Sequence, residues 1–142
     1  MKLTVRVRIP APIEVVWRAF NDPHDILRWD ASPAWRTVRA SNDLRVGGQL
    51  RLRIEPRDGQ PPFDYGVTYT RIEPMTLIEW RMDEDGDENR HVRVEFRAEP
   101  TGIVMTQTFD GEPTPSPDEQ RRDWQGVLDT FARYVAAGES GR

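Results

Sequence analysis

Gln107 is the side chain whose type and place are hardest to explain as packing. It lies on the run Ile103, Met105, Gln107, Phe109, whose other members are apolar. Period-two spacing puts all four on one face of a strand. An amide on such a face is a buried polar group that needs hydrogen-bond partners. A ligand, a backbone group or a water can supply them. Tyr65, between Phe63 and Val67, sets a phenol in a similar position. A phenol and an amide suffice to recognise a carbonyl or another phenol. Catalysis asks for more, namely a base of suitable pKa within reach of a substrate proton. Asp64, Glu79 and His91 would serve only if strand registers turned them inward.

Other chemistries are closed off. The 142 residues include no cysteine, so disulfides, thiol nucleophiles and cysteine-ligated metals are excluded. His24 and His91 are the only histidines, too few for a zinc site built from several of them. His24 follows the helix-opening Pro23 and reads as an exposed first-turn residue; His91 reads as a surface strand residue. Residues 83–88 carry five carboxylates in six positions. A calcium loop would want glycine sixth and a bidentate glutamate twelfth, but glycine is fourth and Val94 is twelfth, so a solvated hairpin tip is the better reading. Gly47-Gly48 lacks the Lys-Ser/Thr and the helix that follow a phosphate loop, and reads as a turn. Ser140 sits out of register for a nucleophile elbow. No catalytic constellation, cofactor or metal is expected.

Charge bounds the partners. Lys and Arg number 20 against 24 Asp and Glu, a net charge of −4. That balance argues against nucleic acid, where phosphate neutralisation dominates affinity. It also disfavours a polybasic membrane anchor. No apolar stretch approaches the roughly 18 residues of a membrane span. The first ten residues alternate basic and apolar and lack a signal-peptide core, so no membrane insertion and a cytoplasmic location are expected. Thirteen aromatics spread along the chain mark a folded domain, expected over residues 1–138 with a short tail at 139–142.

Those side chains must be held by elements that periodicity makes legible. Residues 2–9 alternate Leu3, Val5, Val7 and Ile9 with basic and polar residues, a strand with one buried face. Pro12 suits the first turn of a helix carrying Val15, Val16, Ala19 and Phe20. Asp22 is the expected N-cap of a second, short helix with Ile26, Leu27 and Trp29. Strands follow near 34–41, 50–55, 63–70, 77–82, 92–97 and 103–109, separated by short turn signals, the pattern of an antiparallel meander. Three prolines at 113, 115 and 117 make a rigid loop. Ser116 and Glu119 form a capping box, and Trp124, Val127, Leu128, Phe131 and Val135 form a helical stripe ending at Gly138. The economical arrangement is α+β: a curved antiparallel sheet of about seven strands around one long terminal helix, with two short helices after the first strand.

That order resembles the START-like superfamily (SRPBCC, helix-grip fold). More narrowly it resembles the family of the activator of the heat-shock-protein-90 ATPase. The matching pieces run from about residue 6 to 136. They are Ile9-Pro10-Ala11-Pro12 with Val16-Trp17, Asp22-Pro23 before Trp29, and Asp43-Leu44-Arg45-Val46-Gly47-Gly48. Gly66 in its strand, Ile72-Glu73-Pro74 with Leu77 and Trp80, and Trp124 with Leu128 complete them. The superfamily includes polyketide aromatase/cyclases and lipid carriers, and the family includes co-chaperones. The resemblance implies a cleft between sheet and terminal helix for a small hydrophobic or aromatic molecule. Residues expected near it are Trp29, Trp35, Phe63, Tyr65, Trp80, Gln107, Phe109, Trp124, Leu128 and Phe131. Movement of the 111–117 loop or of the helix around Trp29 would open it. The alternatives are an aromatase/cyclase- or hydrolase-like enzyme in the same fold, and co-chaperone-like stimulation of a chaperone ATPase. The resemblance also implies that a homodimer is an option.

Overall fold

Alternation at the amino end produces β1 (Lys2–Ile9), in which Leu3, Val5 and Ile9 are buried while Lys2, Thr4, Arg6 and Arg8 face water. The computed structural model describes residues 1–83 and 90–140. Most of the expected acidic hairpin tip at 83–88 therefore lies outside the described residues. Two short helices follow, α1 (Ile13–Asn21) and α2 (Pro23–Trp29). Pro12 is not in the first turn of α1 but is its N-cap, in extended backbone. The first turn falls one residue later, so the ring ends the preceding extended segment instead of starting the helix. Asp22 caps α2 as expected, its carboxylate accepting from the His24 backbone N–H at 2.8 Å.

Six further strands complete the sheet: β2 (Trp35–Asn42), β3 (Gln49–Pro56), β4 (Phe63–Glu73), β5 (Leu77–Met82), β6 (His91–Glu99) and β7 (Gly102–Asp110). Each pairs antiparallel with its neighbour in the order β1-β7-β6-β5-β4-β3-β2, so β1 returns to the far edge beside β7. Register shifts between Thr37 and Arg39 and between Tyr69 and Arg71 strengthen the twist and curl the sheet. Gly102 is required at the β6–β7 turn: its φ is +145°, and a Cβ there would meet the Ile9 carbonyl oxygen at 2.2 Å.

The long helix α3 (Pro117–Ala136) lies in the hollow of this curl. Ser116 caps it by accepting from the Glu119 backbone N–H at 3.2 Å, and Gly138 ends it at φ +74°. Its buried stripe holds Leu128, Phe131, Ala132, Tyr134 and Val135. Two polar ties fix the helices. Tyr134 of α3 donates to the buried Asp25 carboxyl of α2. Burial, then that bond to Asp25, pushes the Tyr134 phenol up to about 12. Asn42 donates to the Asn21 carbonyl at the end of α1 and accepts from the Tyr69 hydroxyl at 2.7 Å.

Phe131 is fully buried, so Phe131→Ala should cost about 3–5 kcal/mol in chemical denaturation. Trp124→Ala should cost less, because that ring is half-buried. Tyr134→Phe keeps the packing and removes one donor to Asp25, for an expected loss of about 1–3 kcal/mol.

Candidate functional site

The inner face of the sheet carries two polar groups with no hydrogen-bond partner among the described residues. Trp80 on β5 stands between Tyr69 of β4 and Val92 of β6. Its indole Nε1–H is buried with no acceptor. Gln107 on β7 stands between Val5 of β1 and Val94 of β6, and is 8% exposed. Its amide has no hydrogen bond among the described residues. Two strand steps and one same-face position separate the pair, roughly 12 Å on standard sheet spacings. The floor between them is Val92 and Val94, both essentially inaccessible.

The ten expected cleft residues divide into three groups. Trp29, Trp80 and Phe131 gather around Phe20 of α1, with Trp29 stacked on Phe20 at 5.5 Å and edge-on to Phe131 at 4.7 Å. Gln107 and Phe109 lie on the inner face of β7 and Trp124 and Leu128 on α3, with Phe109 and Trp124 stacked at 3.9 Å and 7°. Trp35, Phe63 and Tyr65 lie at the far end of β2–β4: Trp35 and Tyr65 are half-buried and Phe63 is 51% exposed. Gln107 and Tyr65 do not act on one carbonyl. Through Val94 and Ile78, Gln107 registers with Ile72, seven residues along β4 from Tyr65. That offset is roughly 20 Å along the strand.

Two proposed moving parts are also tied down. The Trp29 indole donates to the Ala19 carbonyl at 2.8 Å, locking α2 to α1. The 111–117 loop is held by the buried Gln120, whose amide donates to the Glu112 and Pro115 carbonyls and accepts from the Glu112 N–H. Two concavities, of about 430 and 410 Å³, open instead on the outer face of β2–β4. The acid–base alternatives Asp64, Glu79 and His91 also sit on the outer face. Asp64 pairs with Arg53, and Glu79 with Arg71 and Arg93. His91 is exposed at the start of β6. Among the described residues, no three or more His, Asp or Glu side chains converge to hold a metal.

A family model for Activator of Hsp90 ATPase homolog 1-like protein matches residues 10–136. The chain belongs to this family. An AHSA1-like protein of Aeromonas hydrophila is 42% identical with a TM-score of 0.86, over 100% of this chain and 97% of that one. A protein of Cytophaga hutchinsonii is 34% identical with a TM-score of 0.81, over 99% and 96%. The Aha1 dimer of Colwellia psychrerythraea shares the fold at 13% identity and a TM-score of 0.76, covering 99% of each chain. Comparison with curated proteins gives no match. Architecture and comparisons together establish the START-like helix-grip fold. No helix among the described residues is long and apolar enough to cross a membrane.

Within this AHSA1-like frame the structure adds a group that the sequence reading passed over. Asp30, at the end of α2, accepts from the Thr37 hydroxyl of β2 at 2.8 Å. Burial pushes its carboxyl from 3.8 up to about 6, against the opposing effect of Thr37. Sequence alone offered only a helix-ending Asp; the burial comes from β2 folding back over α2.

An acid with a raised folded pKa holds its proton where the unfolded chain has released it. Its contribution to stability is present below the unfolded value and lost as pH rises through about 6. Asp30→Asn should therefore raise the melting temperature at about pH 8 and change it little near pH 4, as read by thermal circular dichroism.

Proposed function

We propose that the protein binds a small apolar or aromatic molecule between the inner sheet face and α3. The observation that carries this reading is the buried Trp80 N–H without an acceptor, on the same sheet face as the Gln107 amide, which makes no hydrogen bond among the described residues. An unmade buried hydrogen bond costs about 1–3 kcal/mol, so the Trp80 N–H calls for a compensating partner. A ligand with an acceptor at one end and an apolar body would satisfy the indole and cover Val92 and Val94. Gln107 can donate or accept at the other end. Entry requires local opening of the Phe20–Trp29–Phe131 cluster, since these rings fill one side of the space. The rims at Trp35, Phe63 and Tyr65 would then guide an apolar ligand inward rather than hold it.

The family description favours a second reading, in which the domain stimulates a chaperone ATPase in the cytoplasm. The dimeric Colwellia relative makes self-association part of that reading. Stimulation of a chaperone's ATP turnover by the purified protein, absent from a buffer control, would favour it.

Native mass spectrometry and thermal-shift screening against aromatic metabolites test the first reading, because a native-state ligand raises the melting temperature by mass action. Trp80→Phe keeps an aromatic ring but removes the donor together with the five-membered half of the indole, so the free protein should lose some melting temperature. It should weaken a carbonyl-bearing ligand about 5–10-fold, measured as a dissociation constant at a temperature where both forms are folded. Gln107→Leu should stabilise the free protein and weaken binding. No bound mass, no shift and no effect of either substitution would discard the inner hollow as a ligand site.

A further inference from the structure

The outer face of the sheet carries an anomaly that the inner hollow does not explain. Elsewhere on this face arginines reach carboxylates: Arg8 pairs with Glu99, Arg36 with Glu55, Arg71 with Glu73 and Arg97 with Glu99. Around the middle of β2 and β3 the pattern breaks. Arg39 stands directly opposite Arg53, and Arg51 stands between Ser41 and Gly66. Arg51 and Arg53 are same-face neighbours on β3, so three guanidinium groups occupy adjoining positions. Like charges placed directly across a sheet destabilise it.

Two carboxylates, Asp64 and Asp83, line the same concavity as the three arginines, and neither pairs with Arg39 or Arg51. Asp64 engages Arg53 at 2.9 Å, and its side chain is 80% exposed. Asp83 accepts from the Thr68 hydroxyl at 2.8 and 3.0 Å and from the Gln49 amide at 3.4 Å, and its arginine partner is Arg81 at 3.9 Å. Among the described residues Arg51 meets only the Gln49 amide oxygen, at 2.5 Å, and Arg39 makes no ion pair. The chain as a whole is acidic, at −4, so this concentration of positive charge is local.

These arginines line the concavity of about 430 Å³. Gly66 forms part of its floor, where a Cβ would come within 3.5 Å of the Asp83 carboxylate. Ser41 adds a hydroxyl at the β2 side. Arginine's planar fork matches phosphate and carboxylate oxygens in a bidentate manner. We propose that this outer trough binds a soluble small molecule through a phosphoryl or polycarboxylate group, with Arg39 and Arg51 as the principal contacts. The site is separate from the inner hollow, so either can fail without the other.

The test is titration of the full chain with pyrophosphate and with citrate at constant ionic strength, followed by amide NMR. Saturable shifts at Arg39, Ser41, Arg51 and Gly66 are expected. Arg39→Gln and Arg51→Gln should each weaken binding at least 5-fold. Arg39→Gln should leave the melting temperature unchanged or higher, since it removes a like-charge pair, which an arginine needed for structure would not do. Gly66→Leu, whose Cβ meets nothing closer than 3.5 Å, should block binding without altering charge. Shifts that follow ionic strength alone, or that survive both arginine substitutions, would overturn the proposal. So would co-sedimentation with phosphatidylglycerol vesicles without binding of either soluble anion, which would assign the arginines to a lipid surface.

Discussion

Phe20 makes ring contacts with Trp29 of α2, Trp80 of β5, Phe96 of β6 and Phe131 of α3, at centroid separations of 5.4 to 6.4 Å. All three helices and the middle of the sheet meet at this one side chain. Aromatic pairs add about 0.5–1.5 kcal/mol beyond their area burial, so the cluster resists piecemeal opening. The rest of the architecture depends on it. Phe20 sets how α1 and α2 close one end of the curl, and Phe131 sets how deeply α3 sinks into it. The hydrogen bonds of Trp29 to Ala19 and Tyr134 to Asp25 then fix the orientation that the rings select.

The two faces of the sheet solve different problems. The inner face buries apolar residues, and its polar exceptions at Trp80 and Gln107 are few and concentrated. The outer face is charged throughout and balances itself by cross-strand pairing over most of its width. Its exception is the arginine group of β2–β4. Each face thus carries one local departure from the rule that organises it. Such departures are where a chain otherwise consistent across levels is expected to carry function. The balance also explains why the net charge of −4 hid the arginine group: composition averages over a surface, whereas recognition depends on neighbours.

Much of the fold was legible because the signals were local and redundant. Alternation in residues 2–9, the Asp22 and Ser116 caps and the stripe from Trp124 to Val135 each gave an element close to its observed bounds. The miss at Pro12 was a single residue, within the usual ambiguity of helix ends. The candidate site was less legible. Gln107 could be read as inward-facing from its own strand. Its distance from Tyr65 could not, since it accumulates over three strand pairings and a bulge in β4. Asp30 and Arg39 gave no motif at all.

The sequence by itself determined which faces of its strands and helices are apolar, where helices begin and end to within a residue, and that no thiol or multi-histidine chemistry is available. These properties follow from side-chain type and from periods of two or 3.6 residues, which act within a few positions of the chain. Only the tertiary structure decided that Trp80 lacks an acceptor, that Phe20 joins four rings, that Asp30 is desolvated and that Arg39 faces Arg53. Each of these depends on strand register and on what packs against the residue from distant parts of the chain. Register is fixed by burying the whole inner face at once, so no local stretch contains it.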